Sequence, residues 1–316
     1  MKNKDQIVSR RIKTIIFFTA LLLTLCWSSW GQESFKNGTW YRGNTHTHAK
    51  FSDNDTINDV PEIASWYREA GYNFLCLSEH NDHLSEKKII CHDEVPQGAS
   101  FIMLCGNELS QSRHHTALGI SSYIDSDTSL QEGVKRTIEA GGVAILNHPM
   151  APEISCADFL ATSGLNHLEV FNGGRPGQTD NSEMLWDSLL SATNGRIVYA
   201  IASDDNHYKK TNVGKGWIMV RAAKLTKEHI VESIRAGNFY ATTGVAIADF
   251  SRSGDTFSVN SRNGETVEFI GKYGKVLMRI QGRSARYMIR GGEKYVRAKI
   301  TNSMGQMAWT QPIMLE

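Results

Sequence analysis

The chain is poor in cysteine, with five in 316 residues and no CxxC pair, which excludes thiolate zinc ribbons and dithiol redox motifs. It has no surplus of charge of either sign. Lys+Arg of 34 against Asp+Glu of 33 leaves +1, so the basic surface expected of a nucleic-acid-binding protein is missing. Its longest apolar run, TIIFFTALLLTLCW, covers 14 residues, too few to span a bilayer comfortably. Internal repeats and low-complexity segments are absent. What remains is ordinary: 41% hydrophobic and 21% charged, in a chain long enough to bury a large core.

The N-terminus has the three-part layout of a secretory signal peptide. MKNKDQIVSRRIK is basic, the apolar run follows, and SSWGQES is small and polar. Small residues Ser29 and Gly31 place cleavage after residue 31. Leu25 stands before Cys26 where a lipobox takes a small residue, and Lys13 stands where twin-arginine export takes an apolar one. The expectation is export to the periplasm or the medium, with no membrane anchor after cleavage and a mature net charge of −3. Cys76 and Cys105 lie in the apolar runs FLCLS and FIMLCG and read as small core residues with free thiols.

From residue 40 to about 245, short β-rich runs alternate with helical segments. YNFLCLSEH, FIMLCGNELS, HTALGI, GGVAILNHP, HLEVFNG, RIVYAIASDDNH and GWIMVRA are nearly continuous apolar runs, as strands of a parallel sheet covered on both faces should be. NDVPEIASWYREAGYN, LQEGVKRTIEAGG, NSEMLWDSLLSATNG and TKEHIVESIRAGN read as helices ending at glycine, the first with Asp59 as N-cap and Gly71 as its stop. The alternation predicts an α/β barrel or a doubly wound sheet. After residue 246 the helical period is lost, and alternating strands with Gly, Asn and Ser turns predict a small antiparallel β-sandwich-like domain over 246–316.

The polar residues able to do chemistry sit at the ends of the β runs. These are His46 and His48, Glu79 and His80, Glu108, His114 and His115, His148, and Asp205 and His207. In barrels of alternating strands and helices the C-terminal strand ends converge on one mouth, where active sites are built. Residues i and i+2 of a strand face the same way, so HxH at 46/48 and DxH at 205/207 can each present two donors to one ion. Any one of these motifs is commonly incidental; their joint occurrence in order is not. His83, His92, His167 and His229 have no comparable context and read as surface or core residues. Imidazole and carboxylate without thiolate suit Zn, Mn or Fe.

HTHAKFSD, GYNFLCLSEHN, GNELS, NHP and SDDNH, in that order, resemble the PHP (polymerase and histidinol phosphatase) metallohydrolases over roughly residues 40–245. YVRAKI and AWTQPI are similar to the small β domain of the carbaryl-hydrolase-like branch. The resemblance implies a distorted seven-stranded (β/α) barrel over 32–245 holding two or three divalent ions. His46 and His48 would share one metal with Asp205 and Glu108. Glu108 would bridge to a second, completed by His148 and a histidine of the 114/115 pair, with His114 preferred. Asp53, His80 and His207 would hold a third. Ser78-Glu79-His80 departs from the family's Thr-Asp-His, and Asp53 stands where many members carry a third histidine.

On that resemblance the expected activity is a metal-dependent phosphatase or phosphodiesterase acting on a small phosphate ester. The ions would clamp a hydroxide and the phosphoryl oxygens, and His80 or His207 would protonate the leaving group. Arg175 and Lys50 are candidate phosphate contacts. Competing readings are a carbamate, ester or amide hydrolase, and a non-catalytic binding module with a structural metal. Loops 81–99 and 172–183 would set the substrate. Oligomeric state is not legible.

Overall fold

The computed structural model describes residues 38–49, 59–80, 95, 98–110, 113–125, 129–207 and 209–315. The signal-peptide segment 1–31, Lys50, Asp53 and most of the loop 81–99 lie outside the described residues. Among the described residues no helix is long and apolar enough to cross a membrane.

The strands are β1 (Thr39–Asn44), β2 (Phe74–Cys76), β3 (Ile102–Leu104), β4 (Gly106–Leu109), β5 (His115–Leu118), β6 (Val143–Leu146), β7 (His167–Asn172), β8 (Tyr199–Ser203), β9 (Trp217–Ala222) and β10 (Phe239–Thr242). The helices interleaved with them are α1 (Val60–Glu69), α2 (Leu130–Glu139), α3 (Cys156–Ala161), α4 (Thr179–Ala192) and α5 (Lys227–Arg235). Helix α1 starts where Asp59 is extended and Pro61 occupies the first turn, and it buries Val60, Ile63, Ala64 and Tyr67 on one stripe. Ser129 and Thr226 cap α2 and α5 by accepting from Glu132 N and His229 N. The glycines after α1, α2 and α5 (Gly71, Gly141 and Gly237) have φ of 79°, 80° and 75°, the left-handed turn that only glycine adopts cheaply. Four helices thus fall where the sequence predicts them. The short α3 has no counterpart among the predicted segments.

The architecture is mixed α/β, and none of its sheets closes on itself among the described residues. One sheet runs β4-β5-β6-β7-β8. A larger one carries β3-β2-β1-β9-β10 and continues into C-terminal strands. The pairs β1/β2, β2/β3, β6/β7 and β7/β8 are parallel, as the apolar runs predict. Strand β5 is antiparallel to both β4 and β6. The reason is the short connection 110–114 between β4 and β5, far below the dozen or so residues a parallel crossover needs. Strand β9, also expected to be parallel, is antiparallel to β1 and β10.

Beyond residue 246 follow β11 (Ile247–Ser253), β12 (Thr256–Ser261), β13 (Thr266–Gly271), β14 (Lys275–Gln281), β15 (Ser284–Met288), β16 (Tyr295–Thr301), β17 (Met307–Thr310) and β18 (Ile313–Met314). All their pairings are antiparallel. Strands β11, β12 and β15 form a separate three-stranded sheet, whereas β17 pairs with β10 and so joins β13, β14, β16 and β18 to the larger sheet. A second apolar core containing Phe257, Phe269 and Tyr287 lies here, with ring centroids 5.5 Å apart from Phe269 to either partner. Residues 39–316 form one compact unit. Cys76 is a buried free thiol, as expected, but Cys105 is disulfide-bonded. Its partner falls outside the described residues, because Cys156 is also free. The sequence misleads at Cys105 because an apolar neighbourhood says nothing about a second sulfur brought near by the fold.

Candidate metal centre

The HxH segment continues β1 and is held on both sides by backbone. His48 N donates to Asn206 O at 2.9 Å and Asp205 N to His46 O at 3.0 Å, so HxH and DxH lie side by side. On the other flank Ser78 N donates to Thr47 O at 2.8 Å, and Glu108 N to Glu79 O at 2.9 Å. Thr47 faces away from the two histidines, its Oγ1 2.7 Å from the Tyr67 hydroxyl on α1. The alternation of a β segment thus sends both imidazoles one way and the threonine the other. Because β5 is antiparallel, its first residues, not its last, meet these strand ends: Asn147 N donates to His114 O at 3.0 Å.

Glu108 sits at the middle. Its Oε2 is 3.4 Å from His46 Nε2, 3.4 Å from His48 Nε2 and 3.0 Å from His80 Nδ1. Its Oε1 is 3.0 Å from His114 Nδ1 and 3.6 Å from His148 Nε2. Asp205 Oδ1 is 3.2 Å from His46 Nε2, 3.4 Å from His48 Nε2 and 3.1 Å from His207 Nε2. Donor sets whose atoms lie within 4.8 Å of one another are His46/His48/Glu108, His46/His148/Asp205, His80/Glu108/His114 and His48/His80/His207. Eight of the nine sequence-predicted ligands are therefore brought together, and the ninth, Asp53, lies outside the described residues. The structure brings His114 to Glu108. His115 turns the other way, buried 3.5 Å from Thr137 Oγ1, where burial pushes its pKa down to about 4.

The chemistry of the donor set fits a divalent cation. His46 Nδ1 lies 2.8 Å from Glu169 Oε1, so it carries the proton, and Nε2 of the neutral ring presents a lone pair to Glu108 and Asp205. His46 Nε2 and Glu108 Oε2 are buried and make no hydrogen bond. Acceptors facing acceptors in a buried site need positive charge between them. Bonds of about 2.0–2.2 Å around a tetrahedral ion put neighbouring donors roughly 3.3–3.6 Å apart, and the four distances from the His46 and His48 rings to the Glu108 and Asp205 carboxylates are 3.2–3.4 Å. Without an ion a proton takes its place. Burial opposes the imidazolium at His46, but Asp205, Glu108 and Glu169 hold its pKa well above the usual histidine range. Burial likewise opposes ionisation of Glu108 and Asp205, yet the surrounding imidazoles, His46 first, hold both carboxylates well below theirs.

Two ligand residues have backbone conformations that side-chain-bearing residues rarely adopt, His148 at φ 27° and Asp205 at φ 46°, as is frequent where a site dictates geometry. The Gly173–Gly174 turn packs directly behind Asp205. A Cβ on Gly173 would meet Asp204 O at 2.6 Å, and one on Gly174 would lie 3.3 Å from Asp205 Oδ2. Arg175 follows on this turn and is exposed.

Sequence reasoning missed the groups that orient the ligands. Glu169, on β7, accepts from His46, from Ser203 Oγ, from His148 N at 2.6 Å and from Asn172 Nδ2 at 2.8 Å. Asn147 Nδ2 donates to Glu108 Oε1 at 2.8 Å, and Asn172 Nδ2 also reaches Asp205 Oδ2 at 3.1 Å. The available signal was a carboxylate inside the otherwise apolar run HLEVF, a position where a charge is costly unless it is partnered.

No family model matches the chain, and no curated protein matches it. The chain superposes on the crystal structure of a two-domain protein from Bacteroides vulgatus that contains a predicted PHP-like metal-dependent phosphoesterase. The TM-score is 0.50 at 16% identity, covering 88% of this chain and 96% of that one. The two share a fold: a mixed α/β part with further strands after it, and here a buried His/Glu/Asp cluster able to bind divalent metal.

Proposed function

We propose that this chain is an exported metal-dependent phosphoesterase of the PHP class, acting on a small phosphate ester. The observation that carries the reading is that the buried imidazoles of His46 and His48 each stand 3.2–3.4 Å from the carboxylates of both Glu108 and Asp205, the spacing of donors around an ion. His46, His48, Glu108 and Asp205 would hold one ion, Glu108 with His114 and His148 a second, and His80 with His207 and Asp53 a third. The strand ends from β1 to β8 are read as a distorted seven-stranded barrel, its mouth tied by the bridges Thr47–Asn206 and His80–Glu108. Bound Zn, Mn or Fe would supply Lewis-acid charge to the phosphoryl oxygens and an activated water.

The chain's own residues do the rest. His80 and His207 are among the more open members of the cluster, with side chains 12% and 22% exposed. With the third position empty, neither ring is spent on a metal and either could hand the leaving group a proton. Ser110 Oγ lies 2.5 Å from His80 Nδ1 and fixes that ring. Arg175, on the turn behind Asp205, is within the segment that would meet the substrate's anionic group. The Cys105 disulfide supports an oxidising compartment and hence export.

The test is elemental analysis of the purified mature protein together with hydrolysis of p-nitrophenyl phosphate, bis-p-nitrophenyl phosphate and an aryl carbamate, with Zn or Mn added. Two or three ions and metal-dependent phosphate release are expected, with Asp205→Asn lowering turnover at least about 100-fold, the loss expected when a metal's environment is disrupted. Carbamate cleavage without phosphate release would move the activity to the carbaryl-hydrolase-like alternative. Absence of bound metal would overturn the reading.

A further inference from the structure

Glu169 is a buried carboxylate that no catalytic step requires, yet it touches four separate parts of the centre. Its side chain is 0% exposed and stands on β7 among Leu168, Val170 and Phe171. Each oxygen accepts two hydrogen bonds. Oε1 takes the Nδ1 proton of His46, from the end of β1, and the hydroxyl proton of Ser203, from β8. Oε2 takes the backbone N–H of His148, after β6, and the Nδ2 amide of Asn172, on β7 itself. The same Asn172 amide also reaches Asp205. A carboxylate offers about four lone-pair positions, and here four donors use them.

We infer that Glu169 is a positioning residue that locks two halves of the metal centre in register, fixing His46 to bind through Nε2 and holding the strained His148 backbone in place. The inference rests on the metal reading given above and names what makes that site two-sided. Oε1 governs a ligand of the set built on His46, His48 and Asp205. Oε2 governs the backbone that presents His148 to the Glu108 side. On the ligand assignment proposed above, His46 and His148 serve different ions, so the loss of Glu169 is felt at both positions.

Glutamine is the informative replacement. Glu169→Gln keeps the shape, but whichever way its amide turns, its two N–H bonds face donors: the His148 N–H and the Asn172 amide in one orientation, His46 Nδ1–H and the Ser203 hydroxyl in the other. Zinc titration of the metal-stripped full chain by calorimetry, against wild type, is the experiment. Affinity should fall about 10–100-fold, the usual effect of removing a ligand's hydrogen-bond partner, and the fall should appear at both of the tight positions. The ¹⁵N spectrum of the zinc-loaded protein provides a readout that general destabilisation would not move. Wild-type His46 should show a single Nε2-bound, Nδ1-protonated ring, and the variant a mixture of tautomers. Should Glu169→Gln fail to fold, Ser203→Ala removes one donor alone and should weaken zinc several-fold. Unchanged zinc affinity with a single His46 tautomer, in whichever variant folds, overturns the inference and leaves the metal reading standing. A wild-type chain that binds no zinc overturns the metal reading itself, and the inference with it.

Discussion

Arg297 offers the most demanding test of how the C-terminal strands are fixed to the rest of the molecule. It lies on β16 with its side chain 1% exposed, and grips Asp187 of α4 with two parallel bonds, Nε to Oδ1 at 2.8 Å and Nη2 to Oδ2 at 2.7 Å. Its Nη2 also lies 3.2 Å from Glu183, and its guanidinium sits 4.6 Å from the Trp186 ring. Tyr295 adds a hydroxyl bond to Asp187 at 2.7 Å, and Lys299 pairs with Glu183. Arg297→Met removes the cation and leaves Asp187, its side chain 8% exposed, with only Tyr295 of these partners still donating to its carboxylate. An uncompensated charge of this kind costs about 3–5 kcal/mol, roughly 6–20 °C in Tm for a domain of this size. The measurement is urea unfolding followed both by circular dichroism and by the fluorescence of the nearby Trp186, coincident curves establishing one transition. Arg297→Met combined with Asp187→Asn removes both charges, keeps an acceptor for Tyr295 and should recover most of the loss. A single variant losing less than about 1 kcal/mol, or a double variant no better than the single, would refute the assignment of this cluster as a charge-dependent clamp.

Two further outcomes follow from particular residues. His167 is buried, its Nε2 donating to Ile234 O at 3.0 Å, and burial lowers its pKa to about 4. Above about pH 6.5 the ring is neutral folded and unfolded, so it contributes nothing pH-dependent. As pH falls from there toward 4, the unfolded chain takes up a proton that the folded one refuses, and stability is lost. At pH 5 the loss is about 2 kcal/mol, so the advantage of wild type over His167→Gln in urea unfolding should shrink by that amount between pH 7 and pH 5. Gly173→Ala places a Cβ 2.6 Å from the Asp204 carbonyl. It should cost about 1–3 kcal/mol and weaken zinc in the same titration, since Asp205 is the next residue; a variant binding zinc as tightly as wild type would show that the turn does not support the site.

Four of the candidate donors are oriented by another group: His46 by Glu169, Glu108 by Asn147, His80 by Ser110, and His148 by the Ala151 carbonyl at 2.9 Å from its Nδ1. Such pairs set tautomer and ring direction before an ion arrives, which keeps the donor atoms aimed at one point at little entropic cost on binding.

The candidate donor residues that the fold gathers were legible in the sequence because their spacing is local. HxH and DxH need only the alternation of a β segment, and carboxylates or imidazoles at the ends of apolar runs mark the mouth whatever the topology. Four helices were legible for the same reason, from an apolar stripe closed by a glycine. Which donor meets which depended on contacts between segments remote in sequence. His114, already preferred over His115 in the sequence, meets Glu108 because the antiparallel β5 brings its first residues to the mouth and adjacent residues face opposite ways. The orienting role of Glu169 is set by four partners, three of them 21 to 123 residues away. The join of the C-terminal strands to the main sheet through β10 and β17 was likewise settled only by a chain reversal that brings distant segments together. Periodicity and spacing are properties of a few consecutive residues, and the sequence carries them by itself; the pairing of donors across strands exists only once the chain has folded.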